Sequence, residues 1–207
     1  MILIGQYDSP YTRRVAVSLA MLGFAFEHDT RSVFGDFDSM RTVNPLGRVP
    51  SLILPDGATL IDSAAILDWL DQTVGPDRAL LPPGGSTRQE ALQRIALATG
   101  TIDKVMAAAY ERLIRPEPYR WAGWTLRCQT QAEGGIAALA AHSWPADAPV
   151  DQACITTACL IRYVRLAAPD LLPSGRYPSL EVLSQRCEAL PAFSATYPAD
   201  YVVPSTR

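Results

Sequence analysis

A hydroxyl-bearing residue follows the first apolar segment of the chain, at the point where a helix is predicted to begin. Ser9 is a preferred N-cap residue, and Pro10 suits the first helical turn, where its missing N–H costs nothing. Apolar residues recur at helical spacing from Val15, and Gly23 provides a C-terminal stop. The first N–H groups of a helix point outward and carry partial positive charge. Ser9 is therefore suited to holding an anion or a thiolate, although most Ser-Pro pairs simply start a helix.

Two further motifs place polar groups at the ends of predicted elements. Pro50 opens an apolar strand, where a proline wastes no sheet hydrogen bond. The bond between Val49 and Pro50 is a candidate for the cis form, which would leave the Val49 backbone free to pair with an extended peptide. Asp62 and Ser63 cap the next helix. A carboxylate and a hydroxyl at a helix start also suit the binding of an ammonium and a carboxylate.

The elements that must position these motifs divide the chain in two. In order, the first part contains a strand at residues 2–4, the helix after Ser9, a strand within residues 24–30, and a hairpin around Asp56-Gly57 before the helix at Asp62. This order predicts a small α/β domain. Beyond a proline- and glycine-rich linker no strand signal is convincing, and the capping box from Thr87 to Glu90 opens a long helix. Helices, the most buried of them at residues 151–167, are predicted for the second part.

Composition excludes several classes of function. The net charge of −3 gives no basic face for nucleic acid or an anionic membrane surface. We expect a cytoplasmic protein, because no apolar stretch is long enough to span a membrane and Met1-Ile2-Leu3 lacks the basic leader of a signal peptide. The four cysteines lack metal-ligand or redox spacing and are expected to be buried free thiols. With only two histidines, no metal site is expected.

The chain resembles the cytosolic glutathione transferase superfamily over nearly its whole length. The resemblance depends on three motifs, on their order along the chain and on the all-helical second half. The motifs are S-P-Y-T-R-R-V at residues 9–15, N-P-L-G-R-V-P at 44–50 and L-I-D-S-A-A-I-L at 60–67. The resemblance implies a thioredoxin-like, glutathione-binding domain at residues 1–78, a linker at 79–85 and an all-α C-terminal domain at 86–207. It also implies a homodimer, with glutathione as co-substrate and no metal.

The resemblance assigns the contacts of glutathione. Val49, before the expected cis-Pro50, would pair through its backbone with the cysteinyl part of the peptide. Asp62 and Ser63 would hold the γ-glutamyl ammonium and carboxylate. Many relatives have Glu where this chain has Asp62, so that contact is expected to be longer or to pass through water. Arg48 would meet the glycine carboxylate, although a solvated surface arginine is an almost equal alternative.

The resemblance also assigns the chemistry. Ser9 lies where serine-type classes place the hydroxyl that donates to the glutathione sulfur, which stabilises the thiolate and is never itself the nucleophile. Tyr7 competes for this role, since tyrosine-type classes use a phenol near the end of the first strand. A small hydrophobic electrophile would bind between the domains, and our candidates for its contacts are Tyr11, Met106 and Tyr110. Met106 fits the helix–helix core as well.

One departure from the family affects folding. Relatives have a Ser/Thr-x-x-Asp capping box at the start of the core helix of the second domain, where this chain has Asp151-x-x-Cys154. Cys154 cannot accept the reciprocal hydrogen bond of a capping box. A weaker cap is therefore expected.

Three functions remain open. The leading prediction is a glutathione transferase that conjugates small hydrophobic electrophiles. The second is a glutathione-dependent isomerase or lyase, although the residues around Ser9 lack the serine- and cysteine-rich loop of the zeta class. The third is a non-catalytic scaffold of transferase-like fold, which the complete set of glutathione motifs disfavours. Ser9 itself argues against cysteine-type thiol exchange, and Thr12 against dithiol redox chemistry.

Overall fold

The computed structural model describes residues 1–198, which form two compact units. The first unit contains Met1–Gly84 together with the segment that starts at Ala189, and the second contains Gly85–Glu188. The first unit has a four-stranded sheet with helices, and the second is helical. The fold is therefore thioredoxin-like followed by all-helical, as predicted. Residues 199–207, the end of the predicted C-terminal domain, lie outside the described part.

The four strands form one mixed sheet in the order β2-β1-β3-β4. Strand β1 (Ile2–Ile4) is parallel to β2 (Glu27–Asp29) and antiparallel to β3 (Ser51–Ile53), which is antiparallel to β4 (Thr59–Ile61). A parallel pair needs a crossover between its strands, and helix α1 (Pro10–Leu22) supplies it. The start of α1 consequently lies beyond the end of the central strand β1.

The remaining helices before the linker are α2 (Phe37–Arg41) and α3 (Ser63–Val74). Helices α1 and α3 contact each other, and their apolar faces form one core with the sheet. This core consists of Leu3, Val15, Ala16, Leu19, Leu22, Leu52, Ile66, Leu67 and Leu70. Because α1 and α3 share it, the N-termini that carry Ser9 and Asp62 belong to rigidly packed helices.

The described part of the second unit, Gly85–Glu188, has four α-helices and two short 3-10 helices. The α-helices are α4 (Gly85–Leu113), α5 (Ala122–Ala140), α6 (Gln152–Ala167) and α7 (Pro178–Glu188). Most of α6 is buried, as predicted for this stretch. All four cysteines are buried and none of them forms a disulfide, as expected. Helix α4 begins at Gly85, two residues upstream of Thr87, where the predicted capping box begins. Gly85 has φ +71°, a conformation that glycine adopts without steric cost.

A short helix after the second unit, α8 (Pro191–Ser194), is attached to α1 by a buried arginine. Arg13 is 1% exposed; its Nε donates to the Thr196 carbonyl at 3.0 Å and its Nη2 to the Phe193 carbonyl at 3.1 Å. The guanidinium also lies 5.4 Å from the centroid of the Phe193 ring. The last carbonyls of a helix lack donors within the helix, and a cation suits them. Arg13 therefore holds this end of the chain on the first unit.

The cap of α6 provides a test of local stability. The Asp151 carboxylate accepts the Cys154 N–H at 2.8 Å, while the Cys154 sulfur lies 3.7 Å from Nη2 of Arg186. A carboxylate at position 154 would accept the reciprocal bond from the Asp151 N–H and would face the same guanidinium. We expect Cys154→Asp to raise the free energy of unfolding by about 0.5–1 kcal/mol in urea denaturation. Cys154→Ser is the matched control, and no gain of Asp over Ser would reject this explanation.

A buried carboxylate joins α4 to the connection that follows it. Glu111 is 5% exposed and accepts the Trp121 N–H at 2.7 Å and the Nε–H of Arg115 at 2.8 Å. The hydrogen bond from the Trp121 N–H has the largest effect on the pKa of Glu111 and lowers it. Burial raises this pKa, and the Arg115 guanidinium lowers it further, so that the net shift is downward. The carboxylate form is thus the one that the fold stabilises.

This direction of shift makes stability depend on pH. Because the pKa of Glu111 is lower in the folded than in the unfolded state, its contribution is complete at neutral pH and is lost as the pH falls through the folded-state pKa. We expect Glu111→Gln to lower the melting temperature at neutral pH, and we expect its difference from the wild type to shrink as the pH falls through the folded-state pKa of Glu111. Glu117→Gln, at an exposed position nearby, is the control and is expected to leave the wild-type profile unchanged. A pH-independent difference between Glu111→Gln and wild type would contradict this account.

Candidate active site

Ser9 is the N-cap of α1, as predicted. Its Oγ accepts the Thr12 N–H at 3.3 Å, and its carbonyl accepts the Arg13 N–H at 2.9 Å. Within residues 1–198 the Ser9 O–H itself donates to no other group of the chain. A half-buried hydroxyl at a helix N-terminus, with its proton unused, is arranged to donate to an anionic atom.

The turn before β3 presents a backbone without internal partners. The bond between Val49 and Pro50 is cis, and Pro50 is buried. Neither the N–H nor the carbonyl of the half-buried Val49 forms a hydrogen bond with the described residues of the chain. Both groups are therefore available to an extended peptide, which would pair with them as a strand pairs.

A glycine allows this turn to approach the start of α1. Gly5 has φ +128°, and a Cβ there would lie 2.6 Å from Oγ1 of Thr12 and 2.7 Å from Cβ of Val49. Only a residue without a side chain fits between them. The first turn of α1 and the cis-proline turn thus meet at the end of β1. The sequence gives one signal of this contact, a glycine directly after an apolar strand.

The start of α3 combines an exposed carboxylate with a buried hydroxyl. Asp62 has φ +68° and accepts the Ala64 N–H at 2.9 Å. Ser63 is 2% exposed, and its Oγ accepts Nε–H and Nη2–H groups of Arg14 at 3.1 and 2.7 Å. Arg14, on α1, therefore fixes the Ser63 hydroxyl and adds positive charge behind it. Sequence reasoning missed this residue, because nothing local links two positions so far apart.

Arg48 is exposed and belongs to a turn built around a buried asparagine. The Asn44 side-chain amide donates to the Arg48 carbonyl at 2.8 Å, while Oδ1 of Asn44 accepts the Leu46 N–H at 3.0 Å. Asn44 thereby fixes the backbone from which the Arg48 side chain extends toward solvent. This position suits a contact with a carboxylate and suits a solvated arginine equally well, so the role of Arg48 stays a prediction.

The candidate contacts of the electrophile lie on helices of both units. Tyr11 is half-buried on α1, with the Arg14 guanidinium 5.7 Å from its ring centroid. Met106 is half-buried on α4, and Tyr110 is 38% exposed on the same helix. The assignment of all three remains a prediction.

Tyr7, the competitor of Ser9, lies in the loop between β1 and α1. Its ring stacks on the His28 imidazole, with the centroids 3.9 Å apart and the planes at 7°. Burial raises the pKa of the Tyr7 phenol. The ring is therefore held against β2, while Ser9 occupies the helix N-terminus.

Two further observations concern metal ions and membranes. Between residues 1 and 198, no three His, Cys, Asp or Glu side chains are grouped so that they could hold a metal ion. In the same range, no helix combines the length and apolar character needed to cross a membrane.

Comparisons with known proteins identify the family to which this fold belongs. Residues 3–78 match the family model of the glutathione S-transferase N-terminal domain. A probable maleylacetoacetate isomerase of Drosophila melanogaster is 29% identical in an alignment of 208 positions, gaps included, that covers 96% of this chain and 81% of that protein. Two crystal structures are also similar. A glutathione S-transferase of Methylobacterium radiotolerans, in complex with glutathione sulfonate, is 31% identical with a TM-score of 0.90, covering 100% of this chain and 98% of that one.

The second crystal structure is a glutathione transferase family member of Pseudomonas fluorescens with bound glutathione. It is 30% identical with a TM-score of 0.84, and the match covers 96% of this chain and 98% of that chain. The fold thus defines a thioredoxin-like domain followed in the chain by a helical domain. The chain belongs to the glutathione transferase superfamily.

Proposed function

We propose that this protein binds glutathione on its first unit and activates the thiol for attack on a small hydrophobic electrophile. The observation that carries the proposal is the Ser9 hydroxyl at the N-terminus of α1. Within residues 1–198 this hydroxyl donates no hydrogen bond, so its proton is available to a ligand. A free thiol has a pKa of about 8.5, and a helix N-terminus together with a hydrogen-bond donor lowers it. Ser9 donates to the thiolate and makes it the dominant form near neutral pH.

The remaining glutathione contacts follow the polar groups of the site. The free N–H and carbonyl of Val49 pair with the cysteinyl backbone. The γ-glutamyl ammonium binds Asp62, and its carboxylate binds the Ser63 hydroxyl, which Arg14 positions from behind. Arg48 meets the glycine carboxylate. Support comes from the two similar crystal structures, whose proteins hold glutathione and glutathione sulfonate.

A second candidate is isomerisation, in which glutathione adds to the substrate and is released again. The similarity to a protein named as a probable maleylacetoacetate isomerase favours it. The two reactions differ in what happens to glutathione. Conjugation consumes one thiol and forms one thioether per turnover, whereas isomerisation returns the thiol.

The test is a screen of nitro-aryl halides, epoxides and cis-configured unsaturated carboxylates, with free thiol and product followed together. Stoichiometric loss of thiol would support the transferase, and catalysis at constant thiol would support the isomerase. If glutathione binds but no electrophile reacts, the catalytic proposal fails and a scaffold remains.

We also propose that the protein is a homodimer, as is typical of the family. Light scattering coupled to size-exclusion chromatography tests this, and a mass of about 45 kDa is expected from a chain of 22.5 kDa (2 × 22.5). A mass equal to that of one chain over a wide concentration range would contradict the proposal.

A further inference from the structure

The loop that carries Ser9 is attached at two points to one side chain of the neighbouring strand. This loop, residues 5–9, connects β1 to α1. His28, on β2, donates its Nε2–H to the Gly5 carbonyl at 2.8 Å, because a carbonyl oxygen only accepts. The same imidazole stacks on Tyr7, with the ring centroids 3.9 Å apart. One histidine thus contacts both the start and the middle of the loop.

Main-chain bonds transmit this attachment to the ends of the loop. The Gly5 N–H donates to the Asp29 carbonyl at 2.9 Å, so β2 holds both polar groups of Gly5. The Ser9 N–H donates to the Gln6 carbonyl at 3.2 Å, next to the stacked Tyr7. The position of the Ser9 hydroxyl therefore depends on a short chain of contacts that starts at His28.

Gly5 also lies where two other segments come close to the loop. A Cβ at Gly5 would lie 2.6 Å from Oγ1 of Thr12, in the first turn of α1, and 2.7 Å from Cβ of Val49, in the cis-proline turn. The His28 hydrogen bond therefore holds the carbonyl of a residue that is close to both other parts of the site.

We propose that His28 is a positioning residue for thiolate stabilisation, acting through Gly5 and Tyr7 on the Ser9 hydroxyl. The inference rests on the proposed function, in which Ser9 donates to the glutathione sulfur. Without the Nε2–H the Gly5 carbonyl loses its donor, and without the ring Tyr7 loses its stacking partner. In either case the loop relaxes, and the Ser9 O–H moves away from the sulfur.

Two variants separate the two attachments. His28→Phe keeps an aromatic ring for Tyr7 but removes the donor, whereas His28→Gln keeps an N–H donor but removes the ring. The readouts are the pKa of bound glutathione, followed by thiolate absorbance, and kcat/KM, with the glutathione Kd and the melting temperature as controls. We expect each variant to raise the bound thiol pKa by about half a unit and to lower kcat/KM by about threefold to tenfold, with Kd within about twofold of wild type.

Two comparisons make the test specific. In a Ser9→Ala background, His28→Phe is expected to cause no further change in the bound thiol pKa, because the hydroxyl that it positions is absent. His142→Phe, at the other histidine of the chain, is expected to match the wild type.

Three results would count against the inference. A wild-type thiol pKa in both His28 variants would overturn it, and so would an equal effect of His28→Phe with and without Ser9. A change in Kd or melting temperature alone would assign His28 a merely structural role. By contrast, a wild-type protein that does not bind glutathione, or that binds it without lowering its thiol pKa, would reject the proposed function itself, and this inference with it.

Discussion

Replacing Ser9 by Ala is expected to lower kcat/KM for glutathione conjugation by about a hundredfold, while the glutathione Kd changes by less than about threefold. The hydroxyl is the one side-chain donor at the N-terminus of α1 that we assign to the sulfur. Its loss removes a charge-assisted hydrogen bond that forms only with the thiolate. The peptide contacts at Val49, Asp62 and Ser63 are unaffected, so affinity is largely kept. Stopped-flow kinetics over a pH range measure the effect.

Two other substitutions separate this role from its alternatives. Ser9→Thr keeps both the hydroxyl and the N-cap of α1, and we expect it to retain most of the activity. Tyr7→Phe tests the competing donor and is expected to stay within about threefold of wild type. Melting temperatures check the cap, whose loss in Ser9→Ala costs about 0.5–2 kcal/mol of stability. If Tyr7→Phe were the inactive variant and Ser9→Ala the active one, the roles would have to be exchanged.

Replacing Arg13 by Met is expected to lower the free energy of unfolding of the first unit by about 2–4 kcal/mol. The methionine fills the space of the arginine stem, but the Phe193 and Thr196 carbonyls lose the donors that reach them at 3.1 and 3.0 Å. The Phe193 carbonyl still accepts the Thr196 N–H at 3.3 Å, but the Thr196 carbonyl is left without a donor among the described residues. A buried polar group without a partner costs about 1–3 kcal/mol. The end of the chain is then expected to detach from α1, which hydrogen exchange at α8 would detect.

Two control variants accompany this substitution. Arg13→Lys keeps the charge but cannot reach both carbonyls with a planar fork, so we expect an intermediate loss. Arg41→Met removes an exposed arginine of α2 and is expected to change the unfolding free energy by less than about 0.5 kcal/mol. Equal stability of Arg13→Met and wild type would mean that α8 is held by other contacts.

The sequence predicts the first unit well wherever structure depends on neighbouring residues. Ser9 and Asp62 cap the helices that follow them, and Gly23 ends α1 at φ +80°. Pro50 indicates the cis bond that precedes it, because a proline at the entry to a strand constrains its own backbone and that of the residue before it. Each of these features is specified by side chains within a few positions of the backbone that they shape.

Buried polar partners could not be predicted in this way. Adjacent arginines on a helix are expected at the surface, because charged side chains are seldom fully buried. Arg13 and Arg14 are nevertheless buried, because each has hydrogen-bond partners inside the fold. Those partners lie 183 and 49 positions further along the chain, so no local pattern indicates them. The stacking of Tyr7 on His28 cannot be predicted locally either, since it depends on which strand lies beside β1. Only the three-dimensional fold brings such groups together.

Isothermal titration calorimetry with glutathione is the most direct test of the central claim, which is that the first unit binds glutathione. We predict micromolar to low-millimolar binding by the wild type and its loss in an Asp62→Ala/Ser63→Ala variant that melts like the wild type. S-methylglutathione is expected to bind more weakly than glutathione, because a thioether cannot become a thiolate that accepts the Ser9 O–H. Absence of binding by the wild type, or undiminished binding by the double variant, would contradict this account.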